Sequence, residues 1–178
     1  METEADERRP SPRRRYEPVD LQLRVPQEAV AATMLLLQRP GRRESGVLWY
    51  GSRDVQGNGT VRYVVAPRQF MTWGNYRISP EALAEVVGRL DDGWKPLAQV
   101  HSHPGLGVEH SNYDDRMAIS RRVLSLVFPL YGRHSAPFPV GVGVHEWQND
   151  YWHLLGLDQA KRRVVLVTDS AARVEDLR

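Results

Sequence analysis

VHSHPGLGVEHSNYDD, residues 100–115, gathers more metal-capable side chains into one run than the rest of the chain combined. The segment ahead of it, residues 94–100, is mostly apolar and predicts a strand buried on both faces of a sheet. At the end of such a strand His101 and His103 lie two positions apart, so both imidazoles point to one face. Asp114 follows a turn, Pro104-Gly105-Leu106-Gly107, which its glycines and proline keep from being helical. Two imidazoles and a carboxylate suit zinc and leave the fourth tetrahedral position for water, which marks a catalytic rather than a structural site. Ser111 and Asp114 also have a plainer reading. Residues 112–124 read as a helix with Ser111 at its N-cap and Asp114 and Asp115 in its first turn. The two jobs are compatible, and capping alone does not require a histidine pair upstream.

His101-x-His103 followed by Pro104, then Ser111 and Asp114, resembles the signature of the JAMM (JAB1/MPN/Mov34) metalloproteases. That family also places a glutamate far upstream, at the start of a hydrophobic strand, and Glu44-Ser45-Gly46-Val47-Leu48-Trp49-Tyr50-Gly51 fits it. The resemblance spans residues 21–157, and the short loops look most like the prokaryotic JAB-domain, deubiquitinase-like branch. It implies an α/β MPN/JAB (cytidine deaminase-like) fold, a central mixed β-sheet flanked by helices. It implies Zn2+ held by His101, His103 and Asp114, with Glu44 and Ser111 as the catalytic residues. Glu44 would act as general base and then acid, and Ser111 would donate to the oxyanion. The implied substrate is a ubiquitin-like protein cut after its C-terminal glycine, with E1-like and E2-like enzymes as partners, some of them in antiphage operons. A Gly-Gly tail is expected to lie extended between Trp73 and the turn at Gly105 and Leu106.

Working outward, residues 70–76, FMTWGNY, form a loop rich in aromatic side chains, open to reading as core or as an exposed platform. Ser79-Pro80 opens a helix expected to reach about Leu90. Residues 44–51 and 61–67 predict two strands turning at Gly57-Asn58-Gly59. Residues 27–38, QEAVAATMLLLQ, predict a helix with Val30, Met34 and Leu37 on one face, and residues 21–25 alternate like an edge strand. Downstream, residues 126–130 predict a short strand, residues 140–147 and 151–157 a hairpin, and residues 164–167 a last strand. His110, His134, His145 and His153 lack motif partners and read as structural or solvated.

Three stretches follow from composition. Residues 1–20, METEADERRPSPRRRYEPVD, read as a disordered charged tail; residues 21–170 as the JAB/MPN metalloprotease domain; residues 171–178 as a polar tail. At 178 residues and 41% hydrophobic content the chain can bury a real core. The absence of cysteine excludes disulfides and thiolate ligands. A net charge of +2 gives no argument for nucleic acid, despite Arg13, Arg14 and Arg15. No apolar run approaches a membrane span, and a cytoplasmic protein is expected. Two alternatives share parts of the pattern: a catalytically inactive MPN-type scaffold, and a RadC-like DNA-associated protein.

Overall fold

A computed structural model of the chain describes residues 9–178 as a mixed α/β fold around a nine-stranded sheet. The elements run β1 (Leu23–Pro26), α1 (Gln27–Gln38), β2 (Gly46–Arg53), β3 (Gly59–Ala66), β4 (Gln69–Met71), β5 (Tyr76–Ile78) and α2 (Pro80–Val87). They continue with β6 (Lys95–Ser102), α3 (Asn112–Met117), β7 (Leu124–Phe128), β8 (Gly143–Gln148), β9 (Tyr151–Leu154), α4 (Leu157–Arg163), β10 (Val164–Val167) and β11 (Arg173–Asp176). The sheet order is β10-β1-β3-β2-β6-β7-β8-β9, with β11 also on β3, while β4 and β5 form a separate hairpin.

Two registers place the site. β2 runs antiparallel to β6 with Gly46 opposite His101, and β7 runs parallel to β6 with Val127 opposite His101. His101 is therefore held from both sides in mid-sheet. The Ser102 N–H donates to the Ser45 carbonyl at 3.2 Å, and this pairing carries Glu44 to the level of His103.

β2 explains its own near-continuous apolar sequence by being buried on both faces. Val47 and Trp49 join the larger core under α1, whereas Leu48 and Tyr50 join a second cluster with Tyr63, Val65 and Val86 of α2. Trp49 buries its ring completely and satisfies its indole N–H on Thr33 Oγ1 at 2.9 Å. That bond fastens α1 to the sheet directly behind the glutamate strand. Losing such a ring typically costs about 3–5 kcal/mol.

The structure departs from the sequence reading in six places. β1 is not an edge strand: it lies between β3 and β10. The helix expected over residues 112–124 stops at Met117, because the Ile119 N–H is taken by Gln99 Oε1 at 2.8 Å and Leu124 enters the sheet beside β6. The aromatic loop is partly the β4–β5 hairpin. α4 was not foreseen between β9 and β10, and residues 171–178, expected as a polar tail, contribute β11, whose Val174 pairs with Val64. Of the expected disordered tail, residues 1–8 lie outside the described residues. Residues 9–20 have no helix or strand yet are held in place: Tyr16 Oη donates to Glu146 Oε2 at 2.7 Å, and Glu17 exchanges main-chain bonds with the Gln148 side chain.

Candidate metal centre

His101 lies at the end of β6 and His103 directly follows the strand, and Asp114 comes to them from the first turn of α3. The two Nε2 atoms are 3.2 Å apart, His101 Nε2 is 3.3 Å from Asp114 Oδ1, and His103 Nε2 is 3.3 Å from Asp114 Oδ2. Zinc bound tetrahedrally at about 2.0–2.1 Å from each ligand sets ligand atoms about 3.3–3.4 Å apart, the bond length times about 1.63. Each imidazole thus stands at nearly tetrahedral ligand spacing from the other and from one oxygen of the Asp114 carboxylate, His101 from Oδ1 and His103 from Oδ2, and among the described residues these three side chains form the one His/Asp/Glu group able to hold a metal.

The surroundings prepare each ligand. His103 Nδ1 lies 3.0 Å from the Gly107 carbonyl, which only accepts, so Nδ1 carries the proton and Nε2 presents its lone pair. Ser111 donates both its N–H and its hydroxyl to Asp114 Oδ2, each at 2.7 Å, and its Oγ accepts from the Asp114 N–H at 3.1 Å. This capping box orients the carboxylate toward the histidines. His101 is 2% exposed, and its Nδ1 is buried with no hydrogen-bond partner. The Tyr76 ring packs against it at 5.5 Å between centroids. Tyr76 reaches that position only because residue 46 is glycine: a Cβ there would come within 2.2 Å of its Cε2.

Electrostatics couple the group. Burial works against ionisation of Asp114, but the charge and hydrogen bonds of His101 and His103 outweigh it and hold the carboxyl well below the usual range. Burial also pulls His103 down, and Asp114 more than reverses this, leaving the imidazole above its ordinary value. Glu44 is 5% exposed, and burial pushes its pKa up to about 8, with His103 opposing and Asp114 adding to the rise. A divalent cation at the three ligands would favour the ionised carboxylate instead. The Glu44 main chain is pinned by its N–H to the Thr72 carbonyl at 2.8 Å. Behind it Gln69 brackets Gly46, accepting from its N–H at 2.6 Å and donating to its carbonyl at 2.9 Å.

Trp73 and Leu106 are 74% and 76% exposed, and nothing lies within 4 Å of a Cβ placed at Gly105. Tyr131, which sequence reasoning passed over, joins the two segments. Its hydroxyl donates to the Trp73 carbonyl at 2.9 Å and its N–H to the His103 carbonyl at 2.8 Å, while the neighbouring Leu130 N–H donates to the Gly105 carbonyl at 3.0 Å. Leu130 and Tyr131 both sit at φ near +55°, a costly conformation for side chains of this size. The remaining histidines prove structural. His110 is stacked on His145 at 4.0 Å, His134 Nε2 meets the Val140 carbonyl, and His153 Nε2 lies 3.0 Å from the Gln148 carbonyl.

Fold and site together define a mixed α/β domain with a two-histidine, one-carboxylate group at a strand end that is able to hold a metal. The family model for prokaryotic homologs of the JAB domain matches residues 26–148, and the chain belongs to that family. Among solved structures, it is similar to the solution structure of protein DSY2949 from Desulfitobacterium hafniense, with a TM-score of 0.63 at 18% identity over 83% of this chain and 94% of that one. That likeness concerns the fold. Comparison with curated proteins gives no match. Among the described residues no helix is long and apolar enough to cross a membrane.

Proposed function

We propose that the chain is a zinc-dependent peptidase or isopeptidase that cuts after the C-terminal glycine of a ubiquitin-like protein, on an MPN/JAB scaffold of the cytidine deaminase-like kind. The convergence of the two imidazoles, 3.2 Å apart, on the Asp114 carboxylate, each 3.3 Å from one of its oxygens, carries the reading. His101, His103 and Asp114 would hold the ion. When bound there, zinc supplies Lewis-acid polarisation of the scissile carbonyl and makes water a nucleophile near neutral pH.

The chain's own residues do the rest. Glu44, ionised beside a cation, takes a proton from the attacking water as the C–O bond forms. It then hands that proton to the amine nitrogen as the C–N bond breaks, a contribution of about 10²–10⁴-fold. Ser111 is exposed and its hydroxyl rests on Asp114. Turning that hydroxyl to the oxyanion leaves the Ser111 N–H on Asp114, so the ligand keeps one of its two ties while the substrate gains a donor. The exposed Trp73 and the open backbone at Gly105 and Leu106 offer two walls for an extended tail, which E1-like and E2-like partners would generate or attach.

Zinc per chain, measured by elemental analysis, and chelator-sensitive cleavage of ubiquitin-like fusions test the proposal. About one zinc per wild-type chain with cleavage supports it. Absence of zinc after reconstitution would replace it with the metal-free scaffold.

A further inference from the structure

α3 has six residues, of which only Asp114 is buried, so no apolar face presses it onto the sheet. Polar ties must place it. One comes from far away in sequence: Arg9 Nε donates to Asp115 Oδ2 at 2.7 Å, with the Arg9 side chain only 12% exposed. The same guanidinium donates through Nη2 to the Trp152 carbonyl at 3.0 Å and lies 4.5 Å over the Tyr151 ring. One side chain of the N-terminal arm therefore grips β9 and α3 together.

The other Asp115 oxygen continues the tie inward. His110 Nδ1 is 2.9 Å from Asp115 Oδ1, and His110 Nε2 is 2.9 Å from Ser125 Oγ on β7. Ser125-His110-Asp115 has the spacing of a hydrolytic triad, but Ser125 is fully buried and no substrate reaches it. The chain of bonds is a brace from β7 through His110 to α3, and Arg9 closes it from outside. Arg9 is absent from the motif that names the metal ligands, and 106 residues separate it from Asp115.

We propose that Arg9 is a positioning residue for the metal centre, holding α3 through Asp115 where Asp114 completes the ligand set. The inference rests on the metal reading above. Arginine suits the task because its planar fork serves two acceptors while stacking on Tyr151; a lysine supplies only one point charge. Removing it leaves the half-buried Asp115 carboxylate without its cationic partner, held only by His110, and takes away the outer tie of α3.

The test uses the full chain, with zinc affinity measured by competition against a chromogenic chelator and deuterium uptake measured over residues 110–118. Outer partners of a metal ligand typically change affinity by about 10–100-fold, and Arg9, one step further out, belongs at about 10-fold. Arg9→Ala should therefore weaken zinc about 10-fold and speed α3 exchange in the metal-free protein, with β6 and β7 exchange unchanged. Arg9→Lys should recover part of both effects. In an Asp115→Asn background, where His110 keeps an acceptor, Arg9→Ala should do little more. Wild-type affinity in Arg9→Ala, or an equal loss in both backgrounds, overturns the inference alone. A wild type that takes up no zinc overturns the metal reading and this inference with it.

Discussion

Gly46→Ala is the sharpest test of how the site is built. The added methyl would stand 2.2, 2.8 and 3.0 Å from Cε2, Cδ2 and Cζ of Tyr76, against a comfortable carbon–carbon contact of about 3.5–4.0 Å. One wall or the other must retreat by about 1.5 Å. Tyr76 is the rigid choice, because its main chain pairs with Met71 in the β4–β5 hairpin and its ring backs onto His101. β2 is equally fixed, with Gly46 opposite His101 and bracketed by Gln69. Overpacking of this kind costs about 1–3 kcal/mol. For a chain of this length that lowers the melting temperature by roughly 2–12 °C. If the strand yields, Glu44 moves with it, and a shift of about 1 Å in a catalytic group costs about 10²-fold in turnover. The assay pairs thermal melting with zinc affinity and chelator-sensitive cleavage, and Gly74→Ala serves as control because nothing lies within 4 Å of its added methyl. A Gly46→Ala protein that melts, binds zinc and turns over like the control would refute the packing argument.

Other expectations concern separate parts of the site. Asp114→Ala should lose zinc, whereas Glu44→Gln should keep it and lose about 10²–10⁴-fold in turnover; equal activity in Glu44→Gln and wild type would remove the general-base assignment. Trp73→Ala, at a position 74% exposed, should leave melting and zinc untouched and raise KM, so unchanged kinetics would discard the tail-binding wall. His110 is buried and neutral, its pKa driven down to about 2 chiefly by burial and next by the charge of His101. Its unfolded value is about 6.5, so between those limits the unfolded chain binds the extra proton, and stability is complete above about 6.5 and lost as pH falls below it. Urea unfolding at pH 7.5 and 5.5 should show a difference smaller by about 1 kcal/mol in His110→Gln than in wild type. An identical difference in both would mean that His110 titrates normally in the fold.

What the sequence made legible was local chemistry and what it hid was distance. The His-x-His pair, the Ser79 and Ser111 caps and α1 over Gln27–Gln38 were readable because period, punctuation and capping act over a few residues. The end of α3 was not, since residues 118–124 continue a helical pattern and only the Gln99 side chain, from the neighbouring strand, diverts the chain at Ile119. β11 was hidden for a similar reason: Arg173–Asp176 is polar, and its place on β3 comes from pairing and from Arg173 lying 4.2 Å over the Tyr63 ring. Glu44 carries no signal of its own, and its burial beside His103 emerges only from the β2–β6 register. Tyr76, Tyr131 and Arg9 were missed because nothing local marks them. Gly46 was quoted only for its place in the motif, yet the need for glycine there is a contact with a residue thirty positions away.

The ligands rest on supports of unequal stiffness, and that inequality has a use. His101 and His103 belong to a strand end paired on both sides, with the His103 N–H on the Phe128 carbonyl at 2.9 Å. Asp114 rides on a one-and-a-half-turn helix kept in place by a capping box, by Asp115 and by Arg9. With two fixed imidazoles and one carboxylate on a polar hinge, part of the energy of binding an ion would go into seating α3. Seating α3 would also fix Ser111, the N-cap of the same helix, whose N–H and hydroxyl both rest on Asp114. In the proposed reading Glu44 and Ser111 come from different supports, the approach to β2 and the start of α3, so an ion bound between those supports would couple the two residues that the chemistry needs.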